Sequence, residues 1–303
     1  MASLARQGSA VLRASGVPSA ERDAEVLLAH ALGEEPARLH ARPHEAVTEE
    51  AEARFRDLLA RRGARVPLQY LTGVQEFWSL RFRVTPAVLI PRPETEGLIE
   101  AFLRLLDRPD PLVADVGTGS GCLAVAVAHQ VRAATVHAID DSEEALEVAR
   151  QNAVSHGVKG RIVFHRGDLL EPLASAGLEG RVDFILSNPP YVGEEEMTAL
   201  EPEVGVHEPR RALTPGRDAL LLHRRLAREA APILKPGGHL IVEIGAGHEA
   251  SLRALYAGAF VPGRREPAAP AVGGAAPTGL EVIEVLPDLA GVPRVLVARA
   301  RVH

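Results

Sequence analysis

Pro111-Leu-Val-Ala-Asp115-Val-Gly117-Thr-Gly119-Ser-Gly121-Cys122 is the stretch that decides the fold of this 303-residue chain. Leu112 to Val116 is a short apolar run, and the residues from Cys122 to Val131 predict a strongly apolar helix. Three alternating glycines lie between them. Glycine permits a tight strand-to-helix turn and lets a ligand approach the backbone, which is the geometry of the first strand end in a nucleotide-binding sheet. A dinucleotide fingerprint is spaced G-x-G-x-x-G, whereas here the spacing is G-x-G-x-G with Asp115 two residues ahead of the first glycine. That difference favours S-adenosylmethionine over a nicotinamide cofactor.

Downstream, strand and helix signals alternate. Thr135 to Ile139 is a strand, Ser142 caps a helix reaching about His156, and Ile162 to His165 and Val182 to Leu186 are further strands. A helix over Leu220 to Leu234 precedes a strand over Leu240 to Ile244. Apolar strands alternating with helices predict a parallel sheet covered on both faces. Two last runs, Leu280 to Leu286 and Arg294 to Ala300, predict a terminal antiparallel hairpin at one sheet edge. Pro262 to Gly279, rich in Pro, Gly and Ala, reads as a flexible surface loop.

Upstream, the chain reads as helices. Ser19 is the expected N-cap of a helix over residues 20–32, with Ala24, Leu27, Leu28 and Ala31 as its stripe and Gly33 as its stop. A second helix starts near Thr48 and runs to Arg62, ended by Gly63. Phe77, Trp78, Leu80, Phe82 and Val84 then suggest a hairpin before the Pro86 to Pro93 segment. The division that follows is a helical part over 1–72, a hairpin connector over 73–92, and the sheet domain over 93–303.

The net charge of −6 argues against charge-driven nucleic-acid binding, although Arg54, Arg56, Arg61, Arg62 and Arg65 leave room for a local basic face. A single cysteine, Cys122, excludes an internal disulfide framework and a cysteine zinc site, and points to a cytoplasmic setting. No run of about 18 apolar residues predicts a membrane span, and Met1 to Gly16 has no apolar core of a secretory signal. His40 and His44 with Glu45 have ligand-like spacing, but Pro43 interrupts a helix there and no third ligand is evident, so no metal site is expected. Cys122 itself reads as a small packed residue, not a nucleophile.

Two features carry chemistry besides the glycine turn. Asp140 ends the second strand, where a carboxylate can accept from both ribose hydroxyls of an adenosine group; Asp141 competes, but strand alternation and Ser142 as cap favour Asp140. Ser187-Asn188-Pro189-Pro190-Tyr191 follows the strand that ends at Leu186. Its prolines cannot continue a ladder, so the Pro189 carbonyl is left free to accept from a ligand, beside the side-chain oxygen of Asn188 and the flat face of Tyr191. Two acceptors aimed at one NH2 group can hold a planar amide or amino nitrogen before a methyl donor, and no general base has to be invoked. Glu243, at a later strand end, could line the same pocket or be structural.

Asn-Pro-Pro-Tyr after the fourth strand, with Asp-x-Gly-x-Gly-x-Gly after the first, resembles the amino-methyltransferases, which act on exocyclic amines of adenine or cytosine and on glutamine amides. A second segment chooses among them. Leu71-Thr-Gly-Val-Gln-Glu-Phe-Trp78 and Leu89-Ile-Pro-Arg-Pro-Glu-Thr-Glu96 resemble the connector of the release-factor glutamine methyltransferases (the HemK/PrmC family), and Glu201-Pro-Glu-Val204, Glu208-Pro209 and Ala212-Leu213 are similar to that family's stretch after its catalytic loop. The resemblance covers nearly the whole chain. It implies a class I, Rossmann-like, mostly parallel seven-stranded sheet with a terminal antiparallel hairpin and a small N-terminal helical domain that grips the protein substrate. It further implies methyl transfer from S-adenosylmethionine to the side-chain amide of the glutamine in the Gly-Gly-Gln motif of peptide-chain release factors.

By position, the resemblance gives Asp115, Gly117, Thr118, Gly119, Ser120, Gly121 and Asp140 to the cofactor, together with Asp168, Leu169 and Asn188. Leu169 stands where some members carry an aromatic, so apolar contact replaces stacking on the adenine. Asn188, Pro189 and Tyr191 would act in catalysis, and with Pro190 they would form the glutamine pocket. The rival reading is a nucleic-acid amino-methyltransferase (adenine N6) using the same pocket, which would need a basic groove or a target-reading domain. A non-catalytic nucleotide-binding module would require neither Asn188 nor Tyr191 in this arrangement.

Overall fold

The computed structural model describes residues 1–258 and 279–301; the loop expected from Pro262 to Gly279 lies outside them but for its last residue. Five helices come first: α1 (Ala2–Ala14), α2 (Ala20–Leu32), α3 (Pro36–Ala41), α4 (Glu49–Gly63) and α5 (Leu68–Thr72). They pack around Leu12, Leu27, Leu28 and Phe55, a core of their own that contains no residue after Leu71. α2 begins after Ser19 at the N-cap and stops at Gly33, as expected. Ser19 does not cap α2 with its side chain; its hydroxyl donates to Asp23 Oδ1 at 2.8 Å. Gly63 is the last residue of α4, with Ala64 as the C-cap, and the chain reverses at Arg65 with φ 66°.

The hairpin of β1 (Val74–Phe77) and β2 (Leu80–Arg83) follows. Trp78 and Ser79 both have positive φ, 53° and 57°, as a two-residue hairpin turn that matches strand twist requires. The sheet domain then runs α6 (Glu96–Leu105), β3 (Leu112–Val116), α7 (Cys122–Gln130), β4 (Thr135–Asp140), α8 (Glu143–Ser155), β5 (Ile162–Arg166) and α9 (Glu171–Ser175). It continues with β6 (Val182–Ser187), α10 (Pro202–His207), α11 (Leu221–Ile233), β7 (Leu234–Glu243), α12 (Glu249–Tyr256), β8 (Leu280–Pro287) and β9 (Pro293–Ala300).

The strand order is β5-β4-β3-β6-β7-β9-β8. β3 to β7 pair in parallel, and β9 pairs antiparallel with both β7 and β8. The terminal hairpin is therefore as expected, with the last strand inside and β8 at the edge. Neighbouring residues of the central strands go to opposite faces, as a pleat demands. Val113, Phe184 and Ile241 pack under α6 and α7, whereas Ala114, Ile185 and Leu240 pack under α11 and α12. β6 is buried along its whole length, which is why its sequence is an apolar run and not an alternation. The chain builds β3, β4 and β5 outward, then returns to place β6 on the other side of β3. That reversal opens a crevice above the carboxyl ends of β3 and β6.

A charge clasp joins the helical part to the sheet domain. Arg62 donates from Nε to Asp23 at 2.8 Å and from Nη1 to Glu203 at 2.8 Å, and Arg65 donates from Nε to the same Glu203 at 2.7 Å. Burial raises the Glu203 carboxyl, but hydrogen bonds from Arg65 and Arg62 outweigh it and hold the pKa at about 2. The other arginines of the expected basic face are also paired: Arg54 with Glu50, Arg56 with Glu52, and Arg61 with Asp57. No unpaired basic face exists there, because i,i+4 acids on α4 answer each base. Among the described residues no helix is long and apolar enough to cross a membrane.

Candidate active site at the strand ends

The glycine turn between β3 and α7 bends through three left-handed residues, Gly117 (φ 73°), Gly119 (φ 53°) and Gly121 (φ 80°). They do different work. A Cβ on Gly117 would meet nothing within 4 Å, and one on Gly119 would meet only the Gly117 carbonyl at 4.0 Å, so both would stand in the open crevice. A Cβ on Gly121 would lie 2.9 Å from Ala149 Cβ, so this glycine lets α7 pack on α8. Beneath the turn Asp115 is buried, its Oδ2 accepting from Thr118 Oγ1 at 2.6 Å and from Ala124 N at 3.0 Å. Its Oδ1 is buried with no partner. Burial pushes its pKa to about 7, against the hydrogen bonds from Thr118 and Ala124.

Asp140, at the end of β4, is half-buried. Gly119 N donates to its Oδ2 at 2.9 Å and Ser142 N to its Oδ1 at 3.0 Å, so each oxygen keeps a lone pair for the crevice. Its pKa is raised by burial, which these two amides partly offset. Asp141 is exposed at the rim. Asp168 also reaches the crevice wall, but Arg225 grips its carboxylate at 2.9 Å. Leu169 is held in a left-handed conformation, φ 47°, a costly state for a side chain branched at Cγ and one that aims it at the cavity. Arg211 spans the rim, donating to Ser142 Oγ at 2.5 Å.

The Asn188-Pro-Pro-Tyr191 turn leaves the end of β6, where Ser187 Oγ donates to Val116 O at 2.8 Å and pins the ends of β6 and β3 together. Asn188 Nδ2 donates to Thr95 Oγ1 at 3.1 Å, Thr95 Oγ1 donates to Glu243 Oε2 at 2.6 Å, and Tyr191 OH donates to Glu243 Oε1 at 3.0 Å. Among the described residues no group donates to the Pro189 carbonyl. Burial, then Glu243, pushes the Tyr191 phenol well above its ordinary pKa, so it stays protonated. Glu243 is thus part of the site's support, not a wall of the cavity.

One cavity brings most of the expected residues together. Gly117, Thr118, Gly119 and Ser120 line one side, Asp140, Asp168 and Leu169 another, and Asn188, Pro189 and Pro190 a third. Asp115, Gly121 and Tyr191 stand just behind that lining. The orphaned Asp115 oxygen and the open glycine cradle suit a ligand that brings hydrogen-bond donors and lies against backbone, as S-adenosylmethionine does. Sequence reasoning passed over Thr95 as a site residue, and over Arg92 and Arg211. Thr95 and Arg92 belong to the Leu89–Glu96 connector; its distance in sequence from the Asn188–Tyr191 turn hid their nearness in space. Glu208, quoted from the other segment, accepts from Ile90 N at 3.2 Å and from Arg92 Nη2 at 2.5 Å, so the two quoted segments hold each other.

The remaining candidates lie elsewhere. His40 faces Glu25 at 3.5 Å, and no cluster of three or more His, Cys, Asp or Glu among the described residues could hold a metal. Cys122 starts α7 with its thiol pushed well up by burial, so it is a poor nucleophile.

Residues 3–73 match the PrmC N-terminal domain and residues 96–221 match the methyltransferase small domain. A release factor glutamine methyltransferase of Cereibacter sphaeroides is 44% identical over 288 residues, which are 95% of this chain and 94% of that one. Its counterpart in Moorella thermoacetica is 46% identical over 241 residues, 78% of this chain and 83% of its own. Among solved structures, the hMettl16 catalytic domain in complex with MAT2A 3'UTR hairpin 6 superposes with a TM-score of 0.53 at 15% identity, covering 80% of this chain and 81% of that one; at that identity the likeness speaks for the fold alone.

Proposed function

The chain belongs to the release factor glutamine methyltransferase family, and from that membership we propose how its own residues carry out the reaction. It transfers a methyl group from S-adenosylmethionine to the N5 amide nitrogen of the glutamine in the Gly-Gly-Gln motif of peptide-chain release factors. S-adenosylmethionine supplies an electrophilic methyl on a sulfonium sulfur. The chain has to bind it, hold the amide in line with it and exclude water.

Binding falls to the turn over Gly117 to Gly121 with Asp115 beneath it, and to Asp140, whose spare lone pairs suit the ribose hydroxyls. Leu169 offers an apolar surface to the adenine, and Asp168, though gripped by Arg225, lies beside it. Orientation falls to Asn188 and Pro189. A glutamine amide is a weak nucleophile because its lone pair is delocalised. Two acceptors on its NH2 group, Asn188 Oδ1 and the Pro189 carbonyl, fix its direction and favour the rehybridisation that frees the lone pair. Transfer to the amide nitrogen would break the methyl–sulfur bond, its electron pair staying on sulfur as a neutral thioether, and would release one N–H proton to solvent, leaving N5-methylglutamine. Pro190 and Tyr191 close the glutamine pocket. Asn188 is the one residue asked to touch both cofactor and substrate.

The observation that carries this reading is the placement of Asn188 and the undonated Pro189 carbonyl at the end of β6, one strand from the open glycine turn. Release factors are taken as the partners, gripped by the helical part, and the cytoplasm as the setting. Nucleic acid is not taken as a substrate, since the arginines of α4 are spent on acids of the same chain. Mass spectrometry of a release factor after incubation with enzyme and S-adenosylmethionine tests it. One added methyl on the Gly-Gly-Gln peptide is the expected result, and an unmodified peptide alongside methylated DNA would overturn it.

A further inference from the structure

We infer that Glu243, acting through Thr95, is the positioning residue that decides which end of the Asn188 carboxamide faces the substrate. The inference rests on the reading that Asn188 receives an amide NH2, and it follows from counting donors. Glu243 ends β7 and is only 1% exposed, with one oxygen 2.6 Å from Thr95 Oγ1 and the other 3.0 Å from Tyr191 OH. Burial pushes the Glu243 pKa up, and the Thr95 and Tyr191 hydroxyls and the charge of Arg294 pull it back; the ionised carboxylate only accepts, so in that state both hydroxyls give it their protons. The Thr95 hydroxyl owns one proton, and with Glu243 ionised the 2.6 Å contact takes it. Towards Asn188, 3.1 Å away, Thr95 can therefore only accept, and the group facing it has to be the Asn188 NH2. The carbonyl end of that side chain is left for the cavity.

Packing would not make this choice, because the two ends of a carboxamide have nearly the same shape. The choice matters for the chemistry. A reversed Asn188 would present two N–H groups to a substrate NH2, donor against donor, and the second acceptor of the site would be lost. The other arm of Glu243 fixes the pocket wall in the same way. It holds the Tyr191 hydroxyl while Gly245, two residues beyond, presents bare backbone to the ring: a Cβ there would lie 3.0 Å from Tyr191 Cδ2. One buried acid thus sets both the polarity of the acceptor and the seat of the aromatic residue beside it.

The test uses the full-length enzyme with S-adenosylmethionine and an intact bacterial release factor, in the parent, Glu243→Gln, Thr95→Val, Thr95→Ser and the Glu243→Gln/Thr95→Val pair. Glutamine is isosteric but can donate, which frees the Thr95 proton to turn towards Asn188. Glu243→Gln and Thr95→Val should each lower kcat about 10- to 100-fold, the order seen when a group supporting a primary contact is lost. Cofactor affinity by calorimetry and melting temperature should stay near the parent's. Thr95→Ser should recover most of the rate that Thr95→Val loses, and the pair should be about as slow as Thr95→Val alone. Without any substrate, exchange of the Asn188 side-chain NH2 protons, assigned by NMR against Asn188→Ala, should quicken in both single variants. A folded Glu243→Gln enzyme with parental kcat and unchanged exchange would overturn the inference while leaving the function standing; a parent that leaves release factor unmethylated would overturn both.

Discussion

Single side chains were legible in this sequence wherever chemistry demands a rare residue at a rare place. The three glycines, Asp140 and Asn188 announce themselves because a strand end followed by a turn has few other reasons to carry them. Asn188 has the sharpest consequence. Asn188→Ala should lower turnover by roughly 10²–10³, the cost of one well-placed polar group in a transition state, with folding intact by circular dichroism since the residue leaves the sheet at the strand end. A folded Asn188→Ala enzyme at near-parental rate would refute its role. Asp140→Ala should weaken S-adenosylmethionine binding by about 1.5–3 kcal/mol, through lost charge-assisted hydrogen bonds and a Gly119 amide left without its acceptor; calorimetry measures it. Thr95 and Arg92 were hidden, because nothing local in Arg92-Pro-Glu-Thr95 says that it will lie against residues 93 and 116 positions away. Asp115 adds a pH signature. Burial raises its pKa from 3.8 to about 7, so the folded state prefers the protonated form. Its contribution is most favourable below pH 4 and is lost as pH rises to about 7. In thermal scans without cofactor, Asp115→Asn should show a shallower fall in melting temperature across that window than the parent.

At the scale of elements, periodicity found α2, α4, α7, α8, α11 and the strands of the sheet, but passed over α6 and α12 although Leu98, Ile99 and Phe102 in one and Leu252 and Tyr256 in the other are buried. α1 escaped because its buried residues are Gly8, Ser9 and Leu12; two of the three are too small or too polar to make a stripe. The hexapeptide α3 and pentapeptide α5 are too short for any periodic signal. β7 begins at Leu234, six residues before the expected Leu240, because the Lys235-Pro-Gly-Gly238 stretch follows β6 through a register shift. The clasp between α4 and α10 was illegible for another reason: sequence shows charges, not their pairing. Arg62, 5% exposed at its side chain, satisfies Asp23 and Glu203 together. Arg62→Ala should therefore destabilise by about 3–5 kcal/mol, since it leaves the buried Asp23 without its ion-pair partner, while Glu203 keeps Arg65; denaturant unfolding measures it. Glu203 gives the matching pH dependence. Its pKa is lowered from 4.5 to about 2, so the stability it lends is present above about pH 4.5 and is lost as pH falls towards 2. Glu203→Gln should flatten that acid limb of the stability profile.

Over the whole molecule, the helical part and the sheet domain are built on separate cores. The residues around the cavity hang from the sheet, whose two apolar layers contain nothing before Phe77. The helical part has its own core and contributes no lining residue. Among the described residues, what crosses includes the Arg62 and Arg65 clasp, His207 Nε2 against Ala64 O at 3.4 Å, Arg81 against Glu35 at 3.1 Å, and Tyr70, whose hydroxyl donates to Val88 O at 2.6 Å from beside the cavity wall. A chain lacking residues 1–66 would lose the helical core yet keep α5 and Tyr70 against Val84 and Val88. That truncated enzyme should fold, by circular dichroism, and bind S-adenosylmethionine within a few-fold of the parent. Its rate on a short Gly-Gly-Gln peptide should also stay near the parent's, because a peptide that fills the Asn188 pocket has no length left to reach α1 to α4. Intact release factor should tell the two apart: kcat/KM should fall by at least about tenfold, the loss of about 1.4 kcal/mol of recognition. Equal losses on peptide and protein would mean that the helices only brace the sheet domain through the clasp. Undiminished methylation of the protein by a folded truncated enzyme would remove the gripping role altogether.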